Sequence, residues 1–103
     1  MLKDVKDALT AIHDRVYRYS APPNAKAPYL VWGDDGANYL FADGRHIETA
    51  VTGTVDLYTK DEDDQLIDSV ENALGSTGCA WYLNSVQYEE ETGLIHREWV
   101  FEE

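Results

Sequence analysis

The feature that most constrains the fold is a regular alternation of residue types between His46 and Tyr58. Every second position along it is apolar or small, namely Ile47, Thr49, Val51, Gly53, Val55 and Leu57. A period of two with many β-branched residues predicts a long strand that has one buried face and one solvated face. Such a strand requires a sheet, and other elements must cover the buried face of that sheet.

Two further segments have the spacing of amphipathic helices and can supply that cover. The apolar stripe of the first is Leu2, Val5, Leu9, Ile12 and Val16. It predicts a helix through about Tyr17, because the paired prolines Pro22 and Pro23 then forbid helix. The stripe of the second is Leu66, Ile67, Val70, Ala73 and Leu74. The segment Thr59–Glu62 fits a capping box at its start, and Gly75 is a natural stop.

The other ordered segments have strand patterns. A short strand is predicted at 28–32, closed by a turn at 33–36, and the stretch 38–44 fits either a loop or an edge strand. Two more strands, Ala80–Glu89 and Leu94–Glu102, are joined by an acidic loop with a glycine and predict a hairpin. The last strand has apolar residues on both faces, so we expect it to be central in the sheet or to contact another surface.

The order of these elements is helix, strands, helix, hairpin. It predicts an α+β fold in which the two helices pack on one face of a mostly antiparallel sheet. With 103 residues, the chain is expected to form one domain, residues 1–103.

The charge of the chain is large and unevenly distributed. Its 20 acidic and 8 basic residues give a formal net charge of −12 at pH 7, with +2 on residues 1–26 and −14 on residues 27–103. The acidic body would repel a nucleic-acid backbone, so we do not expect it to bind DNA through counterion release. Three roles fit such acidity: solubility, contact with a basic partner, or a wall that DNA passes without adhering.

Several classes of protein are excluded by composition. A single cysteine rules out an internal disulfide framework and a Cys-rich zinc site. No apolar stretch approaches the roughly 20 residues that span a bilayer, and the first segment lacks the apolar centre of a signal peptide. We therefore expect a soluble, cytoplasmic protein with no membrane partner.

The residues that could carry chemistry form no complete site in the sequence. His46-x-Glu48 and His96-x-Glu98 each place an imidazole and a carboxylate on one face of a strand, but neither pair has an obvious third metal ligand. We expect a cross-strand ion pair or solvated side chains there, and a buried, inert thiol at Cys79. No catalytic, cofactor-binding or metal-binding residues are predicted, and enzymatic function is not expected.

Two runs of residues, one acidic and one apolar, are not explained by the predicted core and helix start. The acidic run Asp61, Glu62, Asp63 and Asp64 exceeds what a helix start requires, so it is either a solvated face or a surface with a function. The apolar run Tyr39, Leu40 and Phe41 lies in a segment that fits a loop or an edge. Either a neighbouring subunit covers these three side chains, or the segment folds back onto its own sheet.

The order and spacing of motifs along nearly the whole chain resemble the tail-terminator, or tail-completion, proteins of long-tailed bacteriophages and prophages. The segments that carry this resemblance are Arg15–Tyr17, Ala27–Trp32, Val55–Thr59, Val70–Leu74 and Glu91–His96 with Trp99. The resemblance implies a structural virion protein in the tail or neck, assembled in the host cytoplasm. It implies a homo-oligomeric ring, usually a hexamer, that caps the head-proximal end of the tail tube.

The partners implied by this resemblance are further copies of the chain, the tail tube protein and the connector or neck protein of the head. Genome DNA would pass through the ring without specific binding. No catalytic residues and no cofactor transfer from the family.

We therefore expect an acidic surface at the lumen and an aromatic surface between subunits. The expected lumen residues are Asp34, Asp35 and Asp43, or Asp61, Glu62, Asp63 and Asp64. The expected interface residues are Tyr39, Leu40 and Phe41. Two alternatives stay open, which are another neck or head-completion component and an acidic DNA mimic that occupies the DNA site of a host defence enzyme.

Overall fold

The fold is taken from a computed structural model that describes the backbone of residues 2–42 and 45–102 and the side chains of residues 4–35 and 51–102. The elements in chain order are α1 (Leu2–Ile12), β1 (Val16–Arg18), β2 (Tyr29–Ala42), β3 (Arg45–Thr59), α2 (Leu66–Ser76), β4 (Ala80–Glu89) and β5 (Leu94–Glu102). Among these residues, neither helix has the length and apolar character of a membrane span.

The strands form one sheet in the order β1-β2-β3-β5-β4, in which only the β1–β2 pair is parallel. Both helices contribute to one hydrophobic core on one face of this sheet. The α+β class with two helices on one face of a mostly antiparallel sheet is therefore confirmed, and β5 is central, between β3 and β4.

The core lies between the helices and alternate residues of three strands. Its buried members are Val5, Leu9, Leu30, Trp32, Val55, Leu57, Val70, Ala73, Leu74, Trp99 and Phe101. The predicted alternation is confirmed where the side chains are described, since Gly53, Val55 and Leu57 are buried while the residues between them are not. The helix-bearing side is called the covered face below, and the opposite side is called the open face.

The end of the first helix was predicted wrongly. Helix α1 ends at Ile12, and Val16 to Arg18 form the edge strand β1, which pairs in parallel with Leu30 to Trp32. Val16 packs against the core, as the helical stripe predicted, but it does so from a strand. The sheet competes successfully for this segment because a β-branched and an aromatic residue fit a pleated surface better than an isolated helical turn.

The turn predicted at 33–36 is also wrong, because β2 continues through it to Ala42. The ladder with β3 shifts its register between Asp34 and Gly36. Gly33 and Gly36 therefore mark an irregularity inside a strand. The ladder then continues to the pair Ala42 and Arg45, whereas β5 pairs with β3 only from Thr52 to Thr59. Residues 36–42 and 45–51 therefore form a two-stranded ribbon that extends past β5, here called the arm.

The start of the second helix differs from the predicted capping box. Thr59 is the buried last residue of β3, and its hydroxyl donates a hydrogen bond to Asp64 Oδ2 at 2.6 Å. Helix α2 begins at Leu66, whose backbone N–H donates to Asp64 Oδ1 at 2.9 Å. Asp64 therefore joins the end of the strand to the start of the helix, a role that the capping pattern assigned to Thr59.

The β4–β5 hairpin is confirmed with the predicted bounds. Its loop ends at Gly93, whose φ of +70° is a left-handed conformation that favours glycine. The molecule measures 51 × 26 × 22 Å, and this elongation is consistent with the long β2–β3 pair.

Candidate functional site

A row of stacked rings crosses the open face over four strands. Tyr17 on β1 meets Tyr29 on β2 edge to face, with centroids 6.1 Å apart. Tyr29 stacks on Tyr58 of β3 at 4.9 Å, and Tyr58 stacks on His96 of β5 at 4.3 Å. The register explains this row, because Tyr29 is opposite Tyr58 and Tyr58 is opposite His96, and directly opposed residues share a face.

A polar cluster surrounds the imidazole at the end of this row. Nε2 of His96 lies 2.6 Å from Oδ1 of Asp56, and the two side chains are only 17% and 13% exposed. Nδ1 of His96 lies 4.0 Å from a carboxylate oxygen of Glu89 on β4. The side-chain amide of Asn84 donates a hydrogen bond to Glu98 Oε1 at 2.8 Å. Three carboxylates and one imidazole therefore share a small, partly buried area of the open face.

The electrostatics of this cluster favour positive charge. The hydrogen bond to Asp56 raises the pKa of His96 above its usual value, and the charges of Asp56, Glu89 and Glu98 raise it further, against the opposing effect of burial. Burial raises the pKa of the Tyr58 hydroxyl to about 12, assisted by the charges of Asp56 and Glu89. The nearby carboxylate charges contribute to both shifts, after the hydrogen bond at His96 and after burial at Tyr58.

The cross-strand ion pair predicted for the histidine–glutamate motifs is confirmed at His96, but its partner is Asp56. Sequence reasoning missed Asp56, which is 40 positions from His96 and lies on the solvated side of the β3 alternation. Ligand atoms of Asp56, His96 and Glu98 all lie within 4.8 Å of one another. The side chains of His46 and Glu48 lie outside the described residues.

The outer strand β4 exposes apolar side chains along its length. The exposed large side chains are Tyr82 (57%), Leu83 (40%), Val86 (48%) and Tyr88 (64%). Leu83 is opposite Trp99 and Val86 is opposite Arg97, so both lie on the covered face, yet both stay exposed. In the described part of the chain no strand pairs with the outer side of β4.

The candidate lumen acids of β2 have different surroundings. Asp34 accepts hydrogen bonds from the Tyr19 hydroxyl at 2.6 Å and the Arg18 guanidinium at 3.1 Å. These two donors, Tyr19 first, lower the pKa of the Asp34 carboxyl. Asp35 is exposed, and Asp43 lies outside the described residues. Asp34 therefore has a structural role with Arg18 and Tyr19, whereas the exposed Asp35 remains a candidate for the acidic surface at the lumen.

The acidic run at 61–64 lies before α2. Asp61, Glu62 and Asp63 are exposed, and Asp64 is half-buried. Part of the run lines a cleft of about 250 Å³ together with Ile67, Asp68 and Arg97. The run and Asp34 are at opposite ends of the segment Thr52–Thr59, a separation of about 25 Å at roughly 3.3 Å per residue. The fold therefore does not bring the two acidic groups together.

Two other expectations concern single segments. The backbone of Tyr39, Leu40 and Phe41 belongs to the arm, as part of β2 and not of a loop, and their side chains lie outside the described residues. Cys79 is half-buried and packs against the core, and its thiol donates to the carbonyl of Leu74 at 3.5 Å.

Comparison with known proteins adds no family to this geometry. The chain matches no protein-family model and no curated protein. The features of the molecule that bear on its function are the open face, the outer side of β4, the arm and the charge distribution.

Proposed function

We propose that this protein is a ring-forming structural component of a phage virion, a tail terminator that caps the head-proximal end of the tail tube. The observation that carries the proposal is that one chain has both a long edge strand with exposed apolar side chains, β4, whose outer side has no partner strand in the described sheet, and an arm that extends past β5. A contact between two different surfaces of like subunits is heterologous, and it closes into a ring when the rotation between neighbours permits.

The edge strand β4 supports a contact between subunits. Natural sheets usually protect a free edge with charge, proline or a short strand. β4 has ten residues and one register shift, between Leu83 and Ser85, and it exposes Leu83 and Val86 on one face and Tyr82 on the other. A neighbouring strand that pairs with β4 would satisfy its outer backbone groups and cover these side chains.

The arm is the segment best placed to supply that neighbouring strand. A two-stranded ribbon without a covering layer has marginal stability in water. Residues 45–51 of β3, which precede Thr52, have no partner on the β5 side in the described sheet. We infer that the arm of one copy pairs with β4 of the next, which also brings the apolar run Tyr39, Leu40 and Phe41 against a neighbour.

The charge distribution supports a lumen that DNA passes without adhering. Asp35 and the exposed acids Asp61, Glu62 and Asp63 lie at opposite ends of the sheet body. If the strands of β3 and β5 run along the axis of a ring, both groups repeat around it as two acidic collars. Such collars repel the phosphate backbone.

Assembly tests this proposal most directly. Light scattering at increasing concentration, followed by negative-stain microscopy, should detect rings of the full chain. Val86→Lys should prevent ring formation, because it places a charge in the middle of the edge strand. Ala11→Lys adds the same charge to an exposed position of α1 and should leave rings intact.

The terminator function itself requires the tail tube protein. Purified rings added during tube polymerisation should stop growth and appear at one end of each tube. Rings that leave tube length unchanged would instead support another neck component. A chain that stays monomeric or dimeric and binds a basic defence enzyme would support the DNA-mimic alternative and contradict the proposal.

A further inference from the structure

We propose that Asp56, His96 and Glu98 form a binding site for a first-row divalent transition metal ion on the open face of the sheet. This inference rests on the side chains of β3 and β5 and does not depend on the function proposed above. The sequence alone left the pair His96 and Glu98 without a third ligand, and the fold supplies it from a different strand.

The register brings the three ligands together. Asp56 is directly opposite Glu98 in the β3–β5 ladder, and His96 is two residues before Glu98 on the same face. Their ligand atoms lie within 4.8 Å of one another. Two ligands bound at about 2.1 Å to one tetrahedral ion are about 3.4 Å apart, so the longest separation in the cluster, up to 4.8 Å, has to contract by about 1.4 Å. Side-chain rotations of Glu98 and Asp56 are the movements that would bring the ligand atoms together.

Neighbouring side chains hold the ligands in place. The Tyr58 ring stacks on the imidazole with an interplanar angle of 15°, and Asn84 donates a hydrogen bond to the Glu98 carboxylate. The Glu89 carboxylate lies on the Nδ1 side of His96, while Nε2 points to Asp56. At 4.0 Å the Glu89 carboxylate makes no hydrogen bond to Nδ1. An approach of less than about 1 Å would make it the usual outer partner of a metal-binding histidine, and the ion would then take the place of the present contact between Nε2 and Asp56.

The charge of the site calls for a cation. Asp56, Glu89 and Glu98 surround one imidazole, and no lysine or arginine of the described residues forms an ion pair with any of the three. Arg97, the nearest basic residue in sequence, lies on the covered face. A divalent ion would neutralise the carboxylates and connect β3 to β5.

The ligand set determines the class of metal. One imidazole nitrogen with two carboxylate oxygens suits Zn²⁺, Mn²⁺, Fe²⁺ and Co²⁺, whereas Mg²⁺ prefers an all-oxygen shell. Three protein ligands leave at least one coordination position for water.

Calorimetric titration of ZnCl₂ into the full chain at pH 7 tests the inference. We expect one saturable site per chain, and Glu98→Gln and His96→Gln should each weaken Zn²⁺ binding at least about 10-fold. Glu90→Gln removes an exposed hairpin acid close to the site and should change the affinity less than about twofold. Circular dichroism should first show that each variant is folded.

A spectroscopic measurement on the unaltered protein covers the case in which a variant does not fold. Mn²⁺ should broaden the imidazole NMR signals of His96 at substoichiometric amounts, before those of His13. Zn²⁺ binding that is equal in the His96→Gln variant, or broadening of His13 first, would overturn the proposal. So would a dissociation constant for Zn²⁺ weaker than about 1 mM.

Discussion

The two faces of the sheet are made from alternate residues of the same strands, yet they have opposite chemistry. On β5 the covered face holds Trp99 and Phe101, both fully buried, whereas the open face holds His96 and Glu98. The covered face is apolar and closely packed against the helices. The open face is a row of rings that ends in a histidine between carboxylates.

We therefore expect the pleat of the strands to separate the residues that stabilise the domain from those that take part in binding. The covered face must exclude water to stabilise the domain, so substitutions there should act on folding. The open face and the edge of β4 keep polar, aromatic and apolar groups accessible, so substitutions there should act on association and ion binding.

The largest expected effect follows from truncating the core. Trp99→Ala should lower the free energy of unfolding by about 3–5 kcal/mol, because it leaves a cavity and removes the indole hydrogen bond to Glu71. Tyr58→Ala, on the open face, should cost about 1–2 kcal/mol, because its ring is only half-buried. Urea unfolding of both variants measures the contrast, and equal losses would contradict it.

A smaller loss is expected at Gly53 of β3, where there is no room for a side chain. A methyl group at Gly53 would meet the carbonyl oxygen of Gly33 and come within 2.5 Å of Cζ of Phe101. Gly53→Ala should therefore destabilise by about 1–3 kcal/mol through overpacking. Gly75→Ala is the matched control, because a methyl group there would have no neighbouring atom within 4 Å and alanine favours the helix. It should raise the unfolding free energy by about 0.5–1 kcal/mol.

On the open face, the His96–Asp56 pair predicts a pH dependence. Because the folded state raises the pKa of His96, the stabilisation is complete below the unfolded value of about 6.5 and is lost as pH rises through the folded value. The free energy of unfolding, measured in EDTA, should therefore fall over this range. His96→Gln and Asp56→Asn should each flatten the decline. A decline that persists unchanged in both variants would show that this pair does not cause it.

The smallest effect on stability is expected at the free edge. Val86→Lys should change the free energy of unfolding of the monomer by less than about 0.5 kcal/mol, because Val86 is half-exposed on the outermost strand. Its effect should appear in assembly alone. A loss as large as that of Trp99→Ala would mean that the edge belongs to the core of the domain.

The sequence predicted the elements whose period is strong and locally satisfied. The alternation at 46–58 and the last strand were found with nearly correct bounds, because one face of each strand is buried and a period of two reports that directly. The mostly exposed strand β4 was delimited by the turn residues on either side of it. Val16 and Tyr17 were assigned to the first helix, because Val16 also fits the helical stripe. Only pairing with Leu30–Trp32 decides in favour of a strand.

The candidate site was less accessible to prediction for a related reason. The motif His96-x-Glu98 is visible in the sequence, but Asp56 becomes its neighbour only through the register of β3 and β5. Likewise, the glycines at 33 and 36 have the composition of a turn, and the β3 ladder carries the strand through them. Local composition does not contain the distance between residues that are far apart in the chain.

The sequence by itself determined the class of the fold, the covered face and the uneven charge, because periodicity and composition are properties of neighbouring residues. Only the tertiary structure shows that β4 is an edge strand with no partner on its outer side, how far the arm extends and which carboxylate contacts His96. These features depend on strand order and register, which are set by packing across the whole domain.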